Sequence, residues 1–345
     1  MKNGFFSGAL WGLDTFILGL AFAFSPFSDS PQASLCSAFM HDLICSLILI
    51  VFLTVRGKMR LLPRALKTRG ARAVMIGALL GGPIGMSGYL AAINNIGAAH
   101  TAIISAFYPA CGTFLAVVFL RESFSLIRGA ALLAALGGII AIGTSGTAAG
   151  PGGNAAIGIA GALICVFGWG SEAVFLAWSL RGTEELDCET ALCIREVTGT
   201  AVYACAVIPA TGGFPFVGKA VTAAPTLLVA AAAAAGVASY LFYYRAISLV
   251  GAAKATALNI SYCAWALIYT SLWMFSFPTG KEIVCCILIF AGTVLSATED
   301  LRSLLRVRNK ENGAHGADPA GCPSPPAEKY APGGEGPADG RRNAK

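Results

Sequence analysis

Two carboxylates stand where water is scarce. Asp14 and Glu172 each fall near the middle of a long apolar run, 5–24 and 155–180. A charged side chain at the centre of a bilayer costs at least ~2.5 kcal/mol even on lenient insertion scales. Such a group is expected to have a role. A carboxyl in those surroundings can take up and release a proton near neutral pH. It can also stand as counter-charge to a cationic solute. The alternative is a structural pair or an interhelical hydrogen bond, and that reading weighs more for Asp14 than for Glu172.

Other titratable residues fall in similar runs. His41 and Asp42 are neighbours in the run 32–55. Histidine titrates in the physiological range, so a histidine beside a carboxylate can form a proton site. Adjacent helical residues point about 100° apart, so the two are not expected to face one cavity together. One would line the vestibule and the other would bond to a neighbouring helix. Arg195 lies as deep in the run 189–210 as Glu172 lies in 155–180, so an Arg195–Glu172 pair is expected. Glu196 is expected to face the loop. Lys254 and His100 stand near helix starts and read as interfacial.

The aromatic residues supply a second chemistry. Trp11, Trp169, Tyr89, Tyr240, Tyr243, Tyr244, Tyr262 and Trp265 all fall within apolar runs. A quaternary amine has no N–H to donate, so ring faces must hold it, each worth ~0.5–2 kcal/mol. Trp11, Trp169, Tyr240 and Trp265 are the best candidates for such a box, with Tyr89 beside them. Tyrosine and tryptophan also form interfacial belts and pack helices, which is the competing reading for each. Asn94, Asn259 and Ser261 could meet a polar end of a substrate.

What must position these residues is a bundle of membrane-spanning helices. The chain has 345 residues, 56% hydrophobic and only 12% charged. A soluble domain carries about 25% charge. Most of 5–298 divides into runs long enough to cross a hydrocarbon core of ~30 Å. Hydropathy places helices at 5–24, 32–55, 73–94, 98–120, 127–146, 155–180, 189–210, 223–247, 251–275 and 281–298. The expected fold is therefore an all-α polytopic membrane protein of ten transmembrane helices. The first run contains Trp11 and Asp14 and is followed by more of its kind, which argues against a cleaved signal peptide.

Orientation follows from the basic residues. The segment between the second and third runs carries Arg56, Lys58, Arg60, Arg64, Lys67, Arg69 and Arg72 with no acid among them. Arg121 and Arg128 join that side, as do Arg302, Arg306, Arg308 and Lys310 after the last run. The positive-inside rule puts both termini in the cytoplasm. The net charge of +6 is then topology and contact with anionic lipid, not a footprint for nucleic acid. Residues 299–345, rich in Gly, Pro and Ala beyond about 311, read as a largely disordered cytoplasmic tail. The eleven cysteines are scattered and read as small apolar packing residues. No phosphate-binding loop, nucleophile elbow or metal-ligand spacing is present in the sequence. No catalytic residue, metal or cofactor is expected.

The chain also repeats itself. Gly97-Ala98-Ala99-His100 returns 154 residues later as Gly251-Ala252-Ala253-Lys254. At that offset Tyr89 meets Tyr243, Tyr108 meets Tyr262 and Gly138 meets Gly292. At an offset of 158, Trp11-Gly12-Leu13-Asp14 meets Trp169-Gly170-Ser171-Glu172. Five spans per repeat is odd, so the second repeat enters the membrane inverted. Two inverted five-helix repeats, 1–147 and 155–298, imply a substrate site at mid-membrane between them.

This plan resembles the drug/metabolite transporter superfamily, specifically its EamA-domain branch. Trp11-Gly12, Tyr108-Pro109, Arg121-Glu122 and Gly137-Gly138 carry the likeness, over roughly 5–298. A narrower resemblance is to bacterial choline permeases of the LicB type. It rests on His41-Asp42, Gly82-Pro83-Ile84-Gly85-Met86, Trp169-Gly170-Ser171-Glu172, Ile194-Arg195-Glu196-Val197-Thr198 and Ala253-Lys254-Ala255-Thr256 with Asn259 and Ser261-Tyr262. Asp14 departs from that pattern, as does Tyr89. The resemblance implies a transporter in the bacterial cytoplasmic membrane that takes up choline or a related quaternary amine.

The expected substrate-binding residues are Trp11, Asp14, Tyr89, Trp169, Glu172, Tyr240, Asn259 and Trp265. The expected coupling and gating residues are His41, Asp42, Glu172, Arg195 and Lys254. The expected partners are a choline-like cation or another metabolite, protons and membrane lipid. The competing function is export or exchange of amino acids or other metabolites on the same fold, with Arg195 holding a substrate carboxylate.

Overall fold

The structure is a computed structural model that describes residues 1–30, 32–123, 125–143, 154–181 and 186–298. The expected tail, 299–345, lies outside the described residues. Among the described residues the chain is all helical. Seven helices are long and apolar enough to cross a membrane. They are α1 (Lys2–Ala21), α2 (Ala33–Val55), α3 (Arg69–Gly97), α7 (Ala155–Ser179), α8 (Cys188–Thr211), α10 (Thr226–Val250) and α13 (Gly280–Ala297). Between them run α4 (98–105), α5 (Tyr108–Leu120), α6 (Leu126–Gly143), α9 (Phe214–Val221), α11 (Ala252–Asn259) and α12 (Tyr262–Trp273).

Local chemistry sets the helix starts. Thr68, Asn154 and Asp187 each accept backbone N–H groups of the first turn that follows them, in α3, α7 and α8. Thr279 and Glu282 form a reciprocal capping box at α13. Each cap satisfies donors that have no partner inside the helix.

Two expected helices are broken rather than continuous. The run 98–120 divides between Ser105 and Tyr108, and 251–275 divides between Asn259 and Tyr262. Pro109 sits in the first turn of α5, where its missing N–H costs no hydrogen bond. Two more helices widen without breaking. A π turn spans Leu80–Ile84 around Pro83 in α3, and another spans Tyr203–Val207 ahead of Pro209 in α8. Proline removes a ladder donor and crowds the preceding turn, and π turns of this kind concentrate at functional sites.

The offset of 154 found in the sequence also relates features of the backbone. Gly97 has φ 79° and ψ 160°, and Gly251 has φ 86° and ψ 166°. Both values are ones that only glycine adopts without strain. Beyond these glycines, α5 and α12 start at matching tyrosines, and α6 and α13 match end for end at the same offset of 154.

The packing is reciprocal too. A methyl group on Gly12 would lie 2.9 Å from the Tyr262 carbonyl oxygen and 2.6 Å from Trp265 Cβ. One on Gly170 would lie 2.9 Å from the Tyr108 carbonyl oxygen and 3.1 Å from Cys111 Cβ. Likewise Gly138 abuts the Cys285 carbonyl, and Gly292 abuts that of Ala131. In each case the second contact is the first one moved by the repeat offset. Small residues at these crossings let helix backbones approach, the usual means of association in a membrane.

Candidate functional site

A cavity of about 490 Å³ opens at the centre of the bundle, within the ~300–1,000 Å³ usual for small-molecule sites. Its wall comes from both halves of the chain: α1, α2, α3 and α5 on one side, α7, α8, α10, α11 and α12 on the other. The π turns contribute Gly81, Gly82 and Tyr203. From its centre the cavity runs along Leu18 and Phe22 of the α1 end and Ser34 and Ala38 of the α2 start.

Toward the end of α2 and the start of α8, charged side chains tie the helix ends together. Glu122, past the end of α5, accepts the backbone N–H groups of Ala252 at 3.0 Å and Ala253 at 3.1 Å. Arg181, past the end of α7, donates to the same carboxylate at 3.0 Å. Lys58 donates to Asp187 and lies 2.7 Å from Glu189, joining the α2 and α8 ends. Burial pushes the Asp187 carboxyl up, but the Lys58 ammonium and the Thr190 N–H outweigh it and hold the group below its ordinary value. Lys58 itself is lowered by burial and raised more by Asp187 and Glu189.

At the cavity floor, four carboxylates surround one guanidinium and one imidazole. His41 Nε2 lies 3.2 Å from Asp14 Oδ1, and its Nδ1 lies 3.7 Å from Asp42 Oδ1. Arg195 donates from Nε to Glu172 Oε1 at 2.9 Å and from Nη1 to Glu196 Oε1 at 2.9 Å. Its Nη2 donates to the Tyr240 hydroxyl at 3.0 Å, and Nη1 lies 3.7 Å from Asp42 Oδ2. Acidic side chains outnumber basic ones in the cluster four to two. That excess favours a cation or protons in the space it faces.

Aromatic rings complete the wall. Trp169 meets Tyr89 at 5.4 Å between centroids and Tyr108 edge-on at 5.6 Å. Trp11 meets Tyr240 edge-on at 4.9 Å. The Arg195 guanidinium lies 4.8 Å from the Tyr240 ring centroid. Tyr243 and Tyr262 also face the cavity, and Tyr243 bonds Thr256 at 2.8 Å.

The structure therefore brings together Trp11, Asp14, His41, Asp42, Tyr89, Trp169, Glu172, Arg195, Tyr240 and Asn259 around one space. Asn259 is positioned by Ser7, which donates to its Oδ1 at 2.7 Å. Several expectations fail. His41 and Asp42 both line the cavity, because Asp14 on α1 and Arg195 on α8 flank the α2 face from two directions. Trp265 lies outside the wall and packs instead against Phe5 at 5.6 Å and Phe290 at 5.3 Å. Its Cβ packs closely against Gly12 of α1. The exposed Asn94 is also outside the wall, and so is Lys254, in keeping with its reading as an interfacial residue. Ser261 is buried against Gly8 rather than lining the space.

Glu196 does not face the loop. It is 1% exposed and bonded to Arg195. A signal for it was present in the sequence, since at an offset of 154 His41-Asp42 falls on Arg195-Glu196. Tyr108 and Tyr203 were also missed as wall residues; only the breaks and π turns that aim them reveal the role.

A bundle of membrane-spanning helices around a central, solute-sized cavity with a charged cluster on its wall is the plan of an integral membrane transporter. The EamA-like transporter family matches residues 6–144 and again 156–298, and the chain belongs to it. Protein LicB of Haemophilus influenzae is 26% identical over 211 residues, which cover 56% of this chain and 63% of that protein. The chain thus spans less than two thirds of this relative's length. A solved crystal structure superimposes with TM-score 0.62 at 17% identity, over 86% of this chain and 95% of its own. That likeness bears on the fold alone. Members of such a family carry small molecules and work in contact with membrane lipid.

Proposed function

We propose that this protein takes up choline or a related quaternary amine across the bacterial cytoplasmic membrane, with protons as the coupling ion. The observation that carries this reading is the cavity floor itself: an excess of carboxylates lies among Trp and Tyr rings. A quaternary ammonium needs both. It offers no N–H to acceptors, so ring faces and a counter-charge must do all the work. Glu172 is the counter-charge, with Trp169, Tyr89, Trp11 and Tyr240 as the rings. His41, between Asp14 and Asp42, is the proton-accepting group.

The architecture we infer is ten spans in two inverted five-helix repeats, 1–147 and 155–298. In that arrangement α4 with α5 forms one span, and α11 with α12 another. The two matches to one family and the reciprocal glycine contacts support it. The basic segment 56–72 then lies in the cytoplasm with both termini. The open mouth, at the α1 end and the α2 start, faces outward, as a site that loads from outside requires. Export of a carboxylate-bearing metabolite fits less well, because the Arg195 fork is already taken by Glu172, Glu196 and Tyr240.

The test is binding of choline, betaine, a primary amine and a neutral amino acid to the purified protein at two pH values. Selective choline binding is expected. Binding of the amino acid with none of choline would overturn the amine reading and leave the family assignment standing.

A further inference from the structure

Arg195 serves two carboxylates that face different surroundings. Glu172 is part of the cavity wall. Glu196 is not; it lies behind the guanidinium, 1% exposed. Both accept from Arg195 at 2.9 Å. The Glu196 Oε2 atom is buried with no hydrogen-bond partner among the described residues. Asp42 and Glu172 lie on the same guanidinium.

A buried carboxylate oxygen left unpaired costs the desolvation of that oxygen with nothing in return. Such a site is incomplete in the arrangement seen and would be completed by a second donor. Arg195 is the neighbour that can supply it by rearranging, because a guanidinium carries five N–H groups in a planar fork. Its Nε and Nη2 are committed to Glu172 and Tyr240. If Glu172 were taken by another cation, the guanidinium would be free to turn and present two adjacent N–H groups. A two-bond contact with Glu196 would then satisfy both oxygens.

We propose that Glu196 is the alternate counter-ion of Arg195. When a cationic substrate takes the Glu172 carboxylate, the guanidinium settles on both oxygens of Glu196, away from the cavity. The charge removed from Glu172 is never left unpaired, so substrate entry does not bear the cost of a stranded buried cation. Glu196 is thus a positioning residue that acts through Arg195 and does not touch the substrate. This inference rests on the cationic-substrate reading above.

The experiment is a double-mutant cycle read by choline dissociation constants on the purified full-length protein. Glu196→Gln should weaken choline binding about tenfold, in the range of coupling between residues in direct contact. Glu196→Asp should restore most of that loss. In the Arg195→Gln background, Glu196→Gln should change choline binding by less than about twofold, the scatter of independent sites. If Glu196→Gln does not fold, Glu196→Met, close in volume and without acceptors, replaces it in both the Arg195 and the Arg195→Gln backgrounds. An equal loss in both backgrounds overturns the proposal, since Glu196 would then act without Arg195. Failure of the unaltered protein to bind choline overturns the amine reading and this inference with it.

Discussion

Ser46 and Thr200 hydrogen-bond to one another, oxygen to oxygen, at 2.9 Å, and they are 154 residues apart. That is the offset at which Gly97 meets Gly251 and Gly138 meets Gly292. A residue that touches its own counterpart lies where a two-fold relation between repeats would place its axis, as in a self-complementary dimer contact. The charged cluster follows a similar relation, at 154 for His41-Asp42 with Arg195-Glu196 and at 158 for Asp14 with Glu172. Asp14 with His41-Asp42 in the first half corresponds to Glu172 with Arg195-Glu196 in the second. One acid–base device is present twice, and the copies differ in the base. Arginine keeps its charge at any physiological pH, and histidine does not. Under the proposed function, that difference in the base leaves one half to hold a substrate ion and the other to exchange a proton.

The ring face of Trp169 is the first test of the substrate half. Trp169→Ala removes an aromatic that Tyr89 and Tyr108 hold in place. A ring face contributes ~0.5–2 kcal/mol to a bound cation. We expect choline binding weaker by about 2- to 30-fold on that scale, measured by isothermal titration, and Trp169→Phe to recover part of it. Unchanged affinity would remove Trp169 from the box.

Glu122 ties three chain segments together. Its carboxylate accepts from Ala252, Ala253 and Arg181. Hydrogen bonds to a charged group are worth ~1.5–3 kcal/mol each. Glu122→Gln should lower thermal stability in detergent by several degrees. Gly251→Ala should do the same by a separate route. Its φ of 86° strains any side chain, and the new methyl would lie 2.7 Å from the Glu122 carboxylate. A Glu122→Gln protein as stable as the unaltered one would show that the clasp carries no load.

Much of this was legible before any coordinates. The apolar runs gave the helices because a bilayer imposes length and hydropathy directly. Asp14 and Glu172 stood out because a charge in such a run is costly. The depth match of Arg195 to Glu172 anticipated their contact because two helices of known direction share one axis of depth. What the sequence did not yield depends on rotation about the helix axis. Trp265 and Trp169 look alike in sequence, yet Trp265 packs beside Gly12 and against Phe5 and Phe290. The breaks before Tyr108 and Tyr262 were missed because both halves of each broken helix are apolar, so hydropathy reads straight through.

Asp187 provides a pH test outside the membrane. Its carboxyl is held below its ordinary value by Lys58 and Thr190 against the opposing effect of burial. A carboxyl lowered in the folded state stabilises fully above its ordinary value, near ~4. That contribution fades as pH falls through the lowered value. The pair is partly exposed, so we expect no more than about 1 kcal/mol from it. The difference in melting temperature between the unaltered protein and Asp187→Asn should therefore be present at pH 6 and shrink below about pH 4. A difference that persists unchanged into acid would mean the contact with Lys58 does not stabilise the fold.

The reciprocal glycines test the repeat itself. Gly138 and Gly292 are counterparts, and a methyl on either would meet a carbonyl oxygen of the other repeat, at 2.9 Å and 2.6 Å. A carbonyl oxygen in a packed helix cannot move aside as a flexible side chain can. Each Gly→Ala change should force α6 and α13 apart and cost ~1–3 kcal/mol, the usual penalty of overpacking. Gly137 is the control, since nothing lies within 4 Å of a methyl placed there. Gly137→Ala should be neutral or slightly stabilising, because alanine is the better helix former by ~1 kcal/mol. Thermal unfolding of the three single variants and of Gly138→Ala/Gly292→Ala decides the point. Comparable losses for Gly138 and Gly292, with less than their sum in the double variant, follow if one interface is pushed open from its two equivalent sides. A loss at one glycine alone would mean that the two crossings are not equivalent, and the resemblance between the halves would then not extend to their packing.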